Sequence, residues 1–179
     1  MWLTHEQTLE WIRIHRAWRL ARKSKPLWCR PLAPDEHGRE FHTAEQTVER
    51  GREGVWLCVG IAGEPWFQRL EKIESKCERL GKEIKRFSFD SQPCAYDVYR
   101  PRSEARNWVA QIRGESIEGF FIRPGYDLEH PLSSPVGGFV VMDYMSDPYQ
   151  ANPGDIWLVQ EGLFNGTYEM VEAERGDGC

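Results

Sequence analysis

Residues 65–86 carry the most persistent periodic signal in the chain. Trp66, Phe67, Leu70, Ile73, Cys77, Leu80 and Ile84 recur at the 3.6-residue period, and Pro65 suits the first position of a helix. Glu78 and Lys82 add an i,i+4 pair, against which an interior Gly81 costs up to about 1 kcal/mol. The spacing predicts a helix over 65–86. Beyond it the texture changes to short β-like runs divided by Gly, Pro, Asp and Ser. Strands are expected near 86–90, 95–100, 107–113, 117–123, 138–144, 155–160 and 167–172, with 107–113 and 117–123 joined as a hairpin through Gly114-Glu115-Ser116. The fold class that follows is α+β: a curled, mostly antiparallel sheet packed on one long helix.

The head of the chain suggests a second helix. Thr4 followed by Gln7 has the spacing of a capping box, and no Gly or Pro interrupts the sequence before Pro26. Over 5–23, Trp11, Ile14, Ala17, Trp18 and Ala21 fall on one stripe, while Arg13, Arg16, Arg19, Arg22 and Lys23 spread over the rest. The expectation is a basic amphipathic helix appended to the sheet. Pro26, Pro31 and Pro34 then read as an extended connector, and Thr43 with Gln46 repeats the capping spacing before a short helix at 44–51. Val55 to Ile61 reads as a buried strand, with Gly60 to Gly63 turning it into the following helix. The organisation expected is a head and connector over 1–39, an α+β domain over 40–174 and a tail over 175–179.

A net charge of −5 over 179 residues argues against a dedicated nucleic-acid binder. That total conceals a gradient: residues 1–30 sum to +5, 31–113 to zero and 114–179 to −10. Either the basic head lies on the acidic half within one globule, or one pole meets an oppositely charged partner. No apolar run approaches the roughly 18 residues of a membrane span, and the N-terminus lacks a signal-peptide layout, so a cytoplasmic protein without membrane contacts is expected.

Five cysteines at irregular spacing argue against both a disulfide framework and a structural zinc. Cys58 and Cys77 read as small buried hydrophobes. The phosphate-cradling, dinucleotide, HExxH and GxSxG spacings are absent, and no cofactor or metal is implied. Gly60-Ile61-Ala62-Gly63 could offer amides to an anion at a helix start, although Glu64 competes for the same position. His37 and His42 with Glu45 and Glu49 are the nearest thing to a metal or acid/base cluster, and the isolated His130 is a further candidate for acid/base work, against a plain reading as a solvated helix start. Asp143, Asp147 and Asp155 lack the ligand alternation of a calcium loop, and Asp147-Pro148 reads as a turn. Tyr144, Tyr149, Trp157, Phe164 and Tyr168 could line a ligand pocket or simply fill a core.

Pro153-Gly154-Asp155-Ile156-Trp157-Leu158-Val159, followed by Phe164 and Thr167-Tyr168-Glu169, resembles the C-terminal pattern of small bacterial and bacteriophage proteins with a Pro-Gly-Asp-Tyr-type motif. The resemblance covers 20 to 35 residues. It implies a structural module and a phage or mobile-element context, and it carries no catalytic residues.

The leading functional expectation is a non-enzymatic binding or accessory protein acting on a protein partner. Its contact surface would be the basic head (Arg13, Arg16, Arg19, Arg22, Lys23, with nucleic acid a further candidate there) or the acidic C-terminal half. The alternatives are an enzyme or binding domain for a nucleotide-like small molecule near Trp157 and Tyr168, and an acidic mimic of nucleic acid that blocks a basic partner.

Overall fold

The computed structural model describes residues 1–43, 48–125, 128–150 and 155–171, and it divides the chain into two compact units. One comprises 1–23 with 106–179 and the other 24–105. Among the described residues 42% are strand and 17% helix, so the protein is mainly β. Among the described residues no long helix packs on a sheet, which overturns the expected α+β arrangement with its helix at 65–86 and its basic helical head.

In the contiguous unit, β3 (Leu27–Pro31) lies at the middle of a five-stranded antiparallel sheet. It pairs on one side with β6 (Trp56–Val59), which pairs in turn with β7 (Pro65–Gln68). On the other side it pairs with β9 (Cys94–Pro101), which pairs with β8 (Cys77–Lys85). The helix α2 (Leu70–Lys76) sits between β7 and β8 in the chain, and β4 (Glu40–His42) with β5 (Val48–Arg50) forms a small hairpin.

The region expected to be one helix is therefore strand, helix and strand. Trp66 and Phe67 face opposite sides of the sheet, and α2 buries only Ile73 fully. Leu80 and Ile84 point outward from β8, 54% and 72% exposed, where an amphipathic helix would have buried them. Backbone pairing of eight residues with β9, broken only by a register shift at Leu80, overrides the local periodicity. Gly60 to Gly63 closes the β6–β7 hairpin, with the Gly60 N–H donating to Glu64 O and the Gly63 N–H to Gly60 O, so no helix starts there to hold an anion. Residues 44–47 lie outside the described residues, and 48–50 form β5, a strand rather than the end of a short helix.

In the other unit, α1 (His5–Ile14) has the expected Thr4/Gln7 capping box but stops after ten residues. The Ala17 N–H donates to Ile12 O and the Arg16 N–H to Arg13 O, with Arg16 left-handed at φ 46°. This is a Schellman closure with arginine where glycine is usual. The basic stretch then continues as β2 (Arg19–Lys23), not as helix. A second five-stranded antiparallel sheet has β10 (Asn107–Gln111) at its middle. β13 (Phe139–Asp143) and then β14 (Ile156–Val159) lie on one side of it; β2 and then β15 (Tyr168–Met170) lie on the other. The helix α3 (Glu161–Thr167) precedes β15 directly.

A three-stranded sheet completes this unit: β1 (Trp2–Leu3) pairs parallel with β11 (Gly119–Ile122), which pairs with β12 (Leu132–Pro135). The expected hairpin of 107–113 with 117–123 does not form, because Gly114 to Ser116 carries the chain from one sheet to the other. Pro153 and Gly154 of the C-terminal motif lie outside the described residues, and the motif continues as β14.

The two five-stranded sheets share one topology. Their orders, β7-β6-β3-β9-β8 and β14-β13-β10-β2-β15, correspond strand for strand, with α2 and α3 as matching seven-residue helices that run straight into the edge strand. The match holds row by row. Trp28 faces Val59 and Val98 as Trp108 faces Met142 and Leu20. Trp66 and Trp157 occupy the same row, Ile73 and Phe164 are the matching buried residues of the helices, and the cross-strand ion pair Glu78–Arg100 matches Glu169–Arg22. The sequence echoes this in Gly63-Glu64-Pro65-Trp66 and Gly154-Asp155-Ile156-Trp157. β2, far from β10 in sequence, fills the place that β9 fills beside β3.

Each five-stranded sheet packs apolar side chains on both of its faces. In the 24–105 unit, Trp28, Leu57, Val59, Tyr96 and Val98 face an aromatic cluster with Phe41, Phe67, Phe87 and Phe89, and the opposite face meets α2. In the other unit, Ala110, Val140, Met142, Ile156 and Leu158 share one core with Leu3, Phe120, Ile122 and Leu132 of the three-stranded sheet and with Ile12 of α1. The far face stacks Phe139, Phe164 and Tyr168.

Candidate functional site

A dense polar cluster is buried in the 24–105 unit and was not visible in the sequence. Alternation along β3 sends Cys29 to one face and Arg30 to the other. There the Arg30 guanidinium donates to both oxygens of Glu36 at 2.6 and 2.8 Å and to Asp90 Oδ1 at 3.0 Å. The Asp90 carboxylate, wholly enclosed, also accepts from Tyr96 Oη at 2.8 Å and from the Phe87 N–H at 2.9 Å. Glu36 accepts from the Ala33 N–H at 2.9 Å.

Two stretches of chain, 30–36 and 87–96, converge, with Arg30 and Asp90 sixty residues apart, and no recognised motif spacing announces them. The Arg30 hydrogen bonds, aided by the Ala33 N–H, hold the Glu36 carboxyl below the usual carboxylate range against its burial. Burial works against the Arg30 charge, yet Glu36, Tyr96 and Asp90 outweigh it and raise the guanidinium further. Burial pushes the Tyr96 hydroxyl up. None of these three groups is poised to exchange a proton near neutrality, so the cluster is a clasp that ties the 33–36 and 87–90 segments to β3 and β9.

The residues singled out from sequence are dispersed. His42 is exposed on β4 of one unit and His130 is exposed in the other, while Glu45 lies outside the described residues. Tyr168 is buried beneath Phe164, ring centroids 4.8 Å apart, with Lys23 Nζ 5.7 Å from its ring centroid; Trp157 is half-buried opposite Val141. The basic head is largely engaged within its own unit. Arg13 pairs with Glu10, Arg22 with Glu169 at 2.5 Å, Arg19 donates to the Arg16 and Trp18 carbonyls, and Arg16 lies 4.9 Å over Tyr149. Asp147 Oδ1 accepts from the Tyr149 N–H at 3.0 Å, the turn its sequence suggested. Among the described residues no cluster of His, Cys, Asp or Glu could hold a metal, and no helix is long and apolar enough to cross a membrane.

What projects outward is the far side of the three-stranded sheet. Leu3, Phe120, Ile122 and Leu132 turn into the core, so Trp2, Gly119, Phe121, Ser133 and Pro135 share the outer face. Trp2 is 45% and Phe121 36% exposed, with ring centroids 5.5 Å apart at 45°. Trp2 lies over Gly119, where any Cβ would run into its ring, so the glycine is what seats the indole. Val136 extends the patch, and Glu115 and Glu118 are exposed nearby in sequence. Neither aromatic stood out in the sequence: Trp2 precedes the first helix, and Phe121 sits in an ordinary strand pattern.

The charge distribution is as uneven as the apolar one. The unit built from 1–23 and 106–179 holds nine basic against fourteen acidic residues and so carries the whole net charge of −5, while 24–105 holds fourteen of each. No family model matches the chain, and no curated protein or solved structure matches it.

Proposed function

We propose that the chain is a non-enzymatic binding protein acting through macromolecular contacts, and that its contact surface is the Trp2–Phe121 face of the acidic unit. The occupant is a protein that presents a basic surface around an apolar contact. The observation that carries this reading is an exposed aromatic pair, seated by Gly119, on the one unit with net charge. Aromatics concentrate binding energy at interfaces, and an acidic surround steers a basic partner. The C-terminal resemblance adds a bacterial or phage setting to the reading.

Affinity capture with the tagged full-length chain tests it. A partner held by the wild type is expected to be lost roughly tenfold or more in Trp2→Ser/Phe121→Ser, since each anchor supplies upwards of ~1 kcal/mol. The same loss is expected in Gly119→Ala, which unseats the indole without removing it, and retention is expected to fall as salt rises. Capture that is indifferent to all three changes would defeat the proposal. Specific stabilisation by nucleotides or metals in a thermal-shift screen would favour the small-molecule alternative.

A further inference from the structure

The sheet of the 24–105 unit holds a second chemistry on the face opposite the Arg30 clasp. Cys29 of β3 and Cys58 of β6 are directly opposite each other in register, both fully buried, with Sγ atoms 3.5 Å apart. They pack with Leu27, Ile73, Cys77 and Tyr99 under α2. We propose that this thiol pair is an oxidation site that closes to an intramolecular cross-strand disulfide on reaction with a hydroperoxide.

The geometry of this pair suits such a closure. Opposed residues of antiparallel strands have Cβ atoms about 4.5–5.5 Å apart, a range that begins where the roughly 3.5–4.5 Å span of a disulfide ends. Closing the sulfurs from 3.5 Å to about 2.05 Å therefore asks for a small approach of two strands already hydrogen-bonded together. The matching row of the other sheet is filled by Val109 opposite Val141. That position needs only two small apolar side chains, so packing alone does not require sulfur.

The reaction balances with one hydroperoxide. The first thiol attacks the peroxide, an S–O bond forms as O–O breaks, and water (or the alcohol, for an organic peroxide) leaves with the thiol proton. The second thiol then attacks that sulfur, S–S forms as S–O breaks, and a molecule of water departs. The peroxide is reduced by two electrons and the thiol pair is oxidised by two. A small peroxide is the fitting oxidant because access requires only local opening beneath α2, a helix of seven residues that buries Ile73 alone.

The experiment treats the purified full-length chain with graded hydrogen peroxide, then unfolds it, alkylates the remaining thiols and measures intact mass and linked peptides. The expected result is a loss of two hydrogens and of two alkylatable thiols, a linked peptide pair holding Cys29 and Cys58, and a thermal midpoint raised by several degrees that dithiothreitol reverses. Cys29→Val/Cys58→Val, which copies the other sheet, is expected to stay folded and to form no linkage. A link made through Cys77, Cys94 or Cys179 instead, or both thiols still alkylatable once exposed thiols are oxidised, would overturn the proposal.

Discussion

The two sheets give one strand order two different interiors. In the 24–105 unit, Arg30 and Tyr96 meet Glu36 and Asp90 on the face of the sheet, a buried ion cluster roofed by aromatic loops. Row matching sets Ala110 and Trp18 at the equivalent places in the other unit, where both belong to a hydrophobic core without a buried charge among the described residues. The neutral unit thus keeps its buried charges inside, and the acidic unit wears its charges outside. Backbone pairing and alternation specify this topology, and either filling satisfies it. What the filling decides is the response to pH, to salt and to loss of one partner.

The most forceful way to break that contrast is Arg30→Met. It leaves two carboxylates buried beside Tyr96, and unfolding by denaturant should show a loss of about 3–5 kcal/mol, whereas joint replacement of Arg30, Glu36 and Asp90 by Met and Leu should recover much of it. The clasp lends itself to such repacking, since Arg30 Nε has no hydrogen-bond partner among the described residues. A loss under about 1 kcal/mol from Arg30→Met would mean that the two interiors are energetically alike.

A smaller effect is expected from acid. The folded-state pKa of Glu36 is lowered, so the stability it contributes is present above the ordinary carboxylate pKa and is lost as pH falls through the lowered one. Unfolding midpoints followed downward from neutral pH should therefore fall more steeply for the wild type than for Glu36→Gln.

Arg16→Gly comes next. It relieves a left-handed arginine and should stabilise by up to about 1 kcal/mol in thermal unfolding, less whatever the Tyr149 contact supplies. The smallest effect sharpens the row-by-row match. Arg22→Ala and Arg100→Ala remove equivalent cross-strand ion pairs and should cause small, similar losses that shrink together as salt rises.

Legibility in the sequence followed the range of the interactions. The strands at 94–101, 107–111, 119–122, 139–143, 156–159 and 168–170 lie where short β-branched and aromatic runs are bounded by turn formers. The helix expected at 65–86 failed because three elements happened to place apolar residues at helical spacing, and only pairing with β9 reveals β8 as a strand. The head failed at one residue: Arg16 closes α1 in a conformation that sequence rules assign to glycine. Residues 86–90, expected as a strand, instead form the turn that delivers Asp90 to Arg30. The Arg30–Asp90 link of the clasp and the thiol pair join residues sixty and twenty-nine positions apart, so neither could be read before the sheet was known. The Trp2–Phe121 face needed the parallel pairing of β1 with β11, which no local pattern encodes.

The placement of β2 also has a consequence for biosynthesis. Residues 24–105 are continuous, so that sheet can close as soon as β9 has left the ribosome. β2 must wait for β10, more than eighty positions later, and α1, Trp2 and Trp18 wait with it. While β2 waits, residues 1–23 form an apolar, basic segment without its strand partner, a window in which a holdase or premature self-association would act on it.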